Sequence, residues 1–128
     1  SSFIDNRRQN ATLFQSLFEG EKNFTIQKEI GQSSWFGFSI ILTNKLSNYR
    51  DDLVNILIEN KIECRPIVAG NFTKNPVIKF LEYKISGNLN ASNEIDKNGF
   101  FVGNDFRNLT NEIKHLHKIL KDFEENII

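Results

Sequence analysis

The sequence predicts an α/β (α+β) fold over residues 1–128: one domain, with helices packed on a small mixed or antiparallel sheet. Three observations predict it. Apolar residues recur at helical spacing near both ends of the chain, in Phe3–Phe18 and from Thr110 onward. Between them, short apolar runs alternate with turn residues, as the strands of a small sheet do. The length, 128 residues with 39% hydrophobic and 25% charged, suits a single core, and twelve Phe supply much of it.

Taken in order, Ile4, Ala11, Phe14 and Phe18 form one apolar helix face, and Gly20 follows as the C-cap. This helix starts abruptly, as though cut from a longer one. Phe24–Ile26 reads as a short strand. Ser34–Leu42 is the strongest strand, with Phe36, Phe38, Ile40 and Leu42 on the core face and Trp35, Gly37, Ser39 and Ile41 on the other. That second face is mixed, as a surface covered by another domain would be. Asn48 is expected to cap the next helix, with Asp51 and Asp52 in its first turn and Leu53, Val54, Leu57 and Ile58 as its buried stripe.

Lys61–Pro66 reads as a strand closed by proline, with Glu63 and Arg65 on one face and Ile62 and Cys64 on the other. Asn75-Pro76 opens a short helix over Val77–Tyr83. Ser92–Asn98 is another short helix, ended by Gly99. Phe100–Val102 is a brief strand. Thr110 is expected to cap the last helix, whose stripe is Ile113, Leu116, Leu120, Phe123 and Ile127.

Charge and composition exclude several classes of function. The formal net charge is zero, so no basic excess points to nucleic acid, and no polybasic block points to a membrane surface. The longest apolar run is far short of the ~20 residues of a spanning helix. No leader is visible at Ser1–Asp5, and the chain reads as cytoplasmic. Cys64 is the only cysteine, so there is neither an internal disulfide nor a cysteine-built zinc cage. Cys64 reads as a small buried hydrophobe. The glycosylation pattern at Asn10, Asn23, Asn71, Asn90 and Asn108 reads as chance in an Asn-rich chain. His115 and His117 lie two apart in a helix and cannot hold one metal ion together. Trp35 reads as core rather than as a cleft wall.

One stretch offers chemistry. Arg65–Asn75, RPIVAGNFTKN, leaves a strand at Pro66 and turns at Gly70, and it presents Arg65, Asn71, Thr73 and Asn75 as donors and acceptors. A second loop, Gly103-Asn104-Asp105, follows another short strand. If the two strands are neighbours, both loops meet at one edge. Ordinary connecting loops would look the same.

These residues carry a resemblance. RPIVAGN, GFFVGN, the Arg7–Asn10 helix and SSWFGFSIIL together resemble the C-terminal part of the DegT-type sugar aminotransferases, over nearly the whole chain. The combination of the two loops is most similar to the branch that removes the 3-hydroxyl from 4-keto-6-deoxy nucleotide sugars. Other members typically carry a histidine-bearing loop where this chain has Ala69-Gly70-Asn71.

The resemblance implies a fold-type-I small domain whose cofactor-binding large domain lies outside this chain. It implies pyridoxal 5'-phosphate or pyridoxamine 5'-phosphate, held mainly by that large domain, and a nucleotide-linked sugar as substrate. It also implies a homodimer when full-length, and a role in deoxysugar and surface polysaccharide synthesis. The catalytic base, a lysine in the aminotransferases and a histidine in the dehydratases, has no counterpart in this chain. The substrate-binding residues would be Arg65, Gly70, Asn71 and Asn104. Arg65 would hold an anion, either substrate phosphate or a carboxylate of the enzyme, and the two asparagines would reach sugar hydroxyls. Two other readings stand beside this one: an ordinary nucleotide-sugar aminotransferase, and a stand-alone binding module.

Overall fold

The computed structural model of the chain describes residues 2–127. Helix α1 spans Ser2–Phe18, strand β1 Phe24–Ile26, strand β2 Gly37–Leu42 and helix α2 Arg50–Glu59. Helix α3 follows at Asn90–Asn98, strand β3 at Gly99–Gly103 and helix α4 at Thr110–Asn126. Short 3₁₀ turns lie at Asn44–Leu46, Phe72–Lys74 and Pro76–Phe80.

The sheet is antiparallel in the order β1-β2-β3, which settles the choice between a mixed and an antiparallel sheet. Its register sets Ile26 opposite Ile40 and Phe38 opposite Val102. Side chains alternate across a strand, so this register gathers Phe24, Phe38, Ile40, Leu42, Phe100 and Val102 into the core. From α1 come Ala11, Phe14 and Phe18, from α2 Leu53 and Leu57, and from α4 Ile113, Leu116, Leu120 and Phe123. The rings of Phe14 and Phe38 stack at 4.2 Å. Each such side chain contributes about 1.5–3 kcal/mol by leaving water, and that burial holds the helices on the sheet.

Six local expectations are corrected. Phe36 does not face the core. Trp35 adopts φ 53, which breaks the strand's alternation, so Trp35 turns inward, 3% exposed, and Phe36 outward, 75% exposed. Lys61–Pro66 forms no strand. Lys61 sits at φ 64, and only Arg65 pairs with the sheet, through a single bridge to Phe101. Pro66 has no N–H with which to extend the ladder.

Asn48 does not cap α2, which begins two residues later. It occupies the left-handed region at φ 77, and its N–H donates to the Asn98 side chain at 2.8 Å. Ile58 lies outside the buried stripe of α2, 56% exposed. Thr110 is the first residue of α4 rather than its cap. Its N–H donates to Asn108 Oδ1 at 2.9 Å, and the Leu109 N–H donates to Asn10 Oδ1 at 3.1 Å. Asparagines on both sides thus satisfy donors that a helix start leaves open.

Asn75 caps the turn that follows it as expected, accepting from the Val77 N–H at 3.0 Å with Pro76 at the first position. That helix is only a 3₁₀ turn ending at Phe80. No helix among the described residues is long and apolar enough to cross a membrane.

Candidate substrate-facing site

The start of the first loop, Arg65, meets the strand that leads into the second at one edge of the sheet. The Arg65 N–H donates to the Phe101 carbonyl at 2.9 Å, and the Phe101 N–H returns a bond to the Arg65 carbonyl at 2.7 Å. This one pair sets the RPIVAGN segment beside the GFFVGN strand. Phe36, Glu63, Arg65, Phe101, Gly103 and Asn104 line the resulting concavity of about 260 Å³.

Gly37 makes the floor of this edge possible. A Cβ there would stand 2.1 Å from the Phe101 ring, so only glycine lets that ring lie across β2. Phe101 then stacks on the outward Phe36 at 5.8 Å. The result is an exposed aromatic surface beside a guanidinium.

The Arg65 side chain is 74% exposed. Its Nη2 and Nε donate to Glu63 Oε1 at 2.7 and 3.0 Å. The carboxylate partner is therefore local, two residues away on the same face. Two of five guanidinium N–H groups are engaged, which leaves the rest of the fork for another acceptor.

Asn104 is buried, and its amide is engaged within the protein. Nδ2 donates to the carbonyls of Arg7 (3.0 Å) and Trp35 (2.9 Å), and Oδ1 accepts from Asn10 at 3.1 Å. Both of its N–H donors are spent. The geometry gives it the task of joining α1, the Trp35 bend and the end of β3.

Gly70 and Asn71 lie apart from this concavity, against α3. Gly70 turns at φ 57. Asn71 is buried, with Nδ2 donating to Asn93 Oδ1 at 2.8 Å and Oδ1 accepting from Thr73 N–H and Oγ. Its amide ties the loop to itself and to α3. The four residues singled out from sequence thus fall in two groups: Arg65 and Asn104 at the concavity, Gly70 and Asn71 behind it.

Sequence reasoning missed Asn10, Phe36 and Asp96. Nothing in the sequence announces Asn10, whose amide reaches the carbonyls of Asp105 and Arg107 at 3.2 and 2.8 Å. The nearness of Glu63 to Arg65 was legible in their spacing of two residues, although the strand expected there does not form.

Cys64 is half-buried. Burial, with the Glu63 charge adding, pushes its thiol up to about 11, so it is a protonated and unreactive group. His117 faces Glu21 at 3.4 Å, while His115 is exposed. No group of three or more metal-ligating side chains occurs among the described residues.

A cofactor of the pyridoxal phosphate type is not accommodated by these residues alone. The concavity holds no lysine. Lys121, the one lysine that is not exposed, is bound to Glu21 and Glu124.

The fold is a small antiparallel sheet covered by helices, with a polar edge where Arg65 meets β3. The chain belongs to the DegT/DnrJ/EryC1/StrS aminotransferase family, whose sequence profile matches residues 1–117. It is 51% identical over 121 residues to the GDP-4-keto-6-deoxy-D-mannose 3-dehydratase of Yersinia pseudotuberculosis, covering 94% of this chain and 31% of that protein. A lipopolysaccharide biosynthesis protein of Salmonella typhimurium is 32% identical over 129 residues, covering 96% of this chain and 28% of that protein.

The structure of the E. coli GDP-4-keto-6-deoxy-D-mannose 3-dehydratase with bound hydrated pyridoxal phosphate superposes with a TM-score of 0.88 at 43% identity. That match covers 93% of this chain and 31% of the E. coli chain. This chain thus spans about a third of the length of the relatives it matches.

Proposed function

We propose that this chain is the small C-terminal domain of a nucleotide-sugar 3-dehydratase that uses pyridoxal or pyridoxamine phosphate, and that it is inactive alone. The substrate is a 4-keto-6-deoxy nucleotide sugar, of the kind named in its Yersinia relative. One observation supports this reading: the Arg65–Phe101 bridge, which brings the start of the RPIVAGN segment beside the GFFVGN strand.

The cofactor, bound by the remainder of the enzyme, supplies the electron sink for loss of the 3-hydroxyl. This chain walls the cleft. Arg65, oriented by Glu63, directs its free N–H groups at substrate phosphate. Phe36 and Phe101 shield the cleft from water. Asn71 and Asn104 hold the loops that place these groups. The enzyme works as a cytoplasmic homodimer in deoxysugar synthesis for surface polysaccharide.

The test supplies the whole enzyme with GDP-4-keto-6-deoxymannose, pyridoxal phosphate and an amino donor. Loss of the C3 oxygen in the product supports the reading. A 4-amino sugar with its 3-hydroxyl intact makes the protein an ordinary aminotransferase. Full turnover by the 128 residues alone would overturn the division of labour between domains.

A further inference from the structure

The loop between Arg65 and Asn75 is fastened at two points, and the second lies outside the substrate-facing concavity. Asp96, in the last turn of α3, receives it. Oδ1 accepts from the Asn71 N–H at 3.1 Å, and Oδ2 from the Lys74 ammonium at 3.0 Å. A Cβ on Gly70 would stand 2.2 Å from Oδ1, so the loop lies directly on the carboxylate.

The contact is reciprocal one turn on. A Cβ on Gly99 would stand 2.7 Å from Ile67 Cδ1, so the side chain of Ile67 lies on the α3–β3 junction. One glycine from each partner makes each approach possible. Asp96 is itself anchored. Arg50 at the start of α2 donates from Nη1 to the carbonyls of Asp96 (3.2 Å) and Gly99 (3.0 Å), which closes the end of α3. The Asn71 N–H and the Lys74 ammonium hold the Asp96 carboxyl below its usual range, as a group that stays ionised would be.

Residues 75–88 are exposed except for Ile78, and Phe80 stands 77% exposed.

We propose that Asp96 is a positioning residue for the substrate site: it clasps the Gly70–Lys74 loop and so fixes the far end of the segment that leaves the Arg65 edge, together with the exposed arm that follows. This rests on the reading of the Arg65 edge as substrate-facing. Asp96 touches no substrate. It acts by denying the loop alternative positions, which lowers the ordering cost of binding.

Two measurements test it separately. In the 128-residue chain, amide hydrogen exchange is followed for Asp96→Ala and Asp96→Asn. Asp96→Ala is expected to speed exchange at Asn71–Lys74 at least tenfold while the amides of β2 and β3 keep their protection. Asp96→Asn, which keeps an acceptor of the same size, is expected to restore most of the protection at Asn71. Unchanged exchange at Asn71 in Asp96→Ala overturns the clasp.

In the whole enzyme, Asp96→Ala is expected to raise KM for the nucleotide sugar at least tenfold with kcat within about twofold, and Asp96→Asn to recover most of KM. An unchanged KM overturns the positioning role. Wild-type enzyme inert toward every nucleotide sugar overturns the functional reading alone, and the exchange experiment then still decides the clasp.

Discussion

Asn104 holds Trp35 in the left-handed region. Its Nδ2 donates to the Trp35 carbonyl at 2.9 Å, while its backbone N–H donates to the Phe36 carbonyl at 3.1 Å. A bulky residue at φ 53 costs of order 1–3 kcal/mol, and it persists because neighbouring contacts over-determine it. The consequence is functional. The bend sends Trp35 into the core and Phe36 out over Phe101, beside Arg65.

Replacing Asn104 by alanine strands the buried Trp35 carbonyl and takes one bond each from the Arg7 carbonyl and the Asn10 amide. Each unsatisfied group costs about 1–3 kcal/mol. Asn104→Ala is expected to lower the urea midpoint of the chain clearly, with the Trp35 fluorescence shifted to the red in the folded state. A wild-type midpoint would show that the bend stands without it.

Phe36 and Phe38 are neighbours but for one glycine, and they answer to different physics. Phe38→Ala is expected to cost about 3–5 kcal/mol, because it empties a site only 1% exposed and stacked on Phe14. Phe123→Ala belongs to the same class. Phe36→Ala is expected to stay within about 0.5 kcal/mol by chemical denaturation. Equal losses at 36 and 38 would mean that Phe36 is covered in the folded chain.

Arg65→Ala in the whole enzyme is expected to lower kcat/KM at least tenfold, about 1.4 kcal/mol in the barrier. The melting temperature should not move, because the Arg65–Glu63 pair lies in water and its backbone bridge survives. Activity within about twofold of wild type would remove Arg65 from the substrate site.

Glu124 makes stability depend on pH. Burial raises its pKa, but hydrogen bonds from Lys121 and Asn23 and the charges of Lys121 and Lys45 outweigh that and hold it below its usual value. The unfolded chain therefore binds the proton more readily. The stabilisation is fully present above the ordinary carboxylate pKa and is lost as pH falls through the lower folded value. Glu124→Gln is expected to be less stable than wild type at about pH 7, with the gap closing as pH falls below the ordinary carboxylate range. A gap that is constant with pH would assign the effect to shape rather than charge.

Cys64 is expected to resist alkylation. With its pKa pushed up to about 11, roughly 0.1% is thiolate at pH 8. The higher intrinsic nucleophilicity of such a thiolate recovers part of that loss. Reaction with iodoacetamide should be roughly tenfold slower in the folded chain than in guanidinium. Equal rates would place the thiol in open solvent.

Much of this protein was determined locally. The apolar spacing of α1 and α4, the alternation of Phe38, Ile40 and Leu42, and the Asn75-Pro76 start are near-neighbour effects, and the sequence alone predicted them. So were the two polar loops and the nearness of Glu63 and Arg65. Their chemistry depends on residues a few positions apart.

Only the tertiary structure decided the rest. The type of Asn104 and its polar loop suit a sugar contact. Its amide instead bonds groups 94, 97 and 69 residues away. Asn71 is likewise spent on Asn93, and Asp96 gained its place only when α3 came beneath the loop. A side chain's bonding capacity is a property of its type. Which partner takes it up depends on chain segments distant in sequence, brought together by burial of a common core.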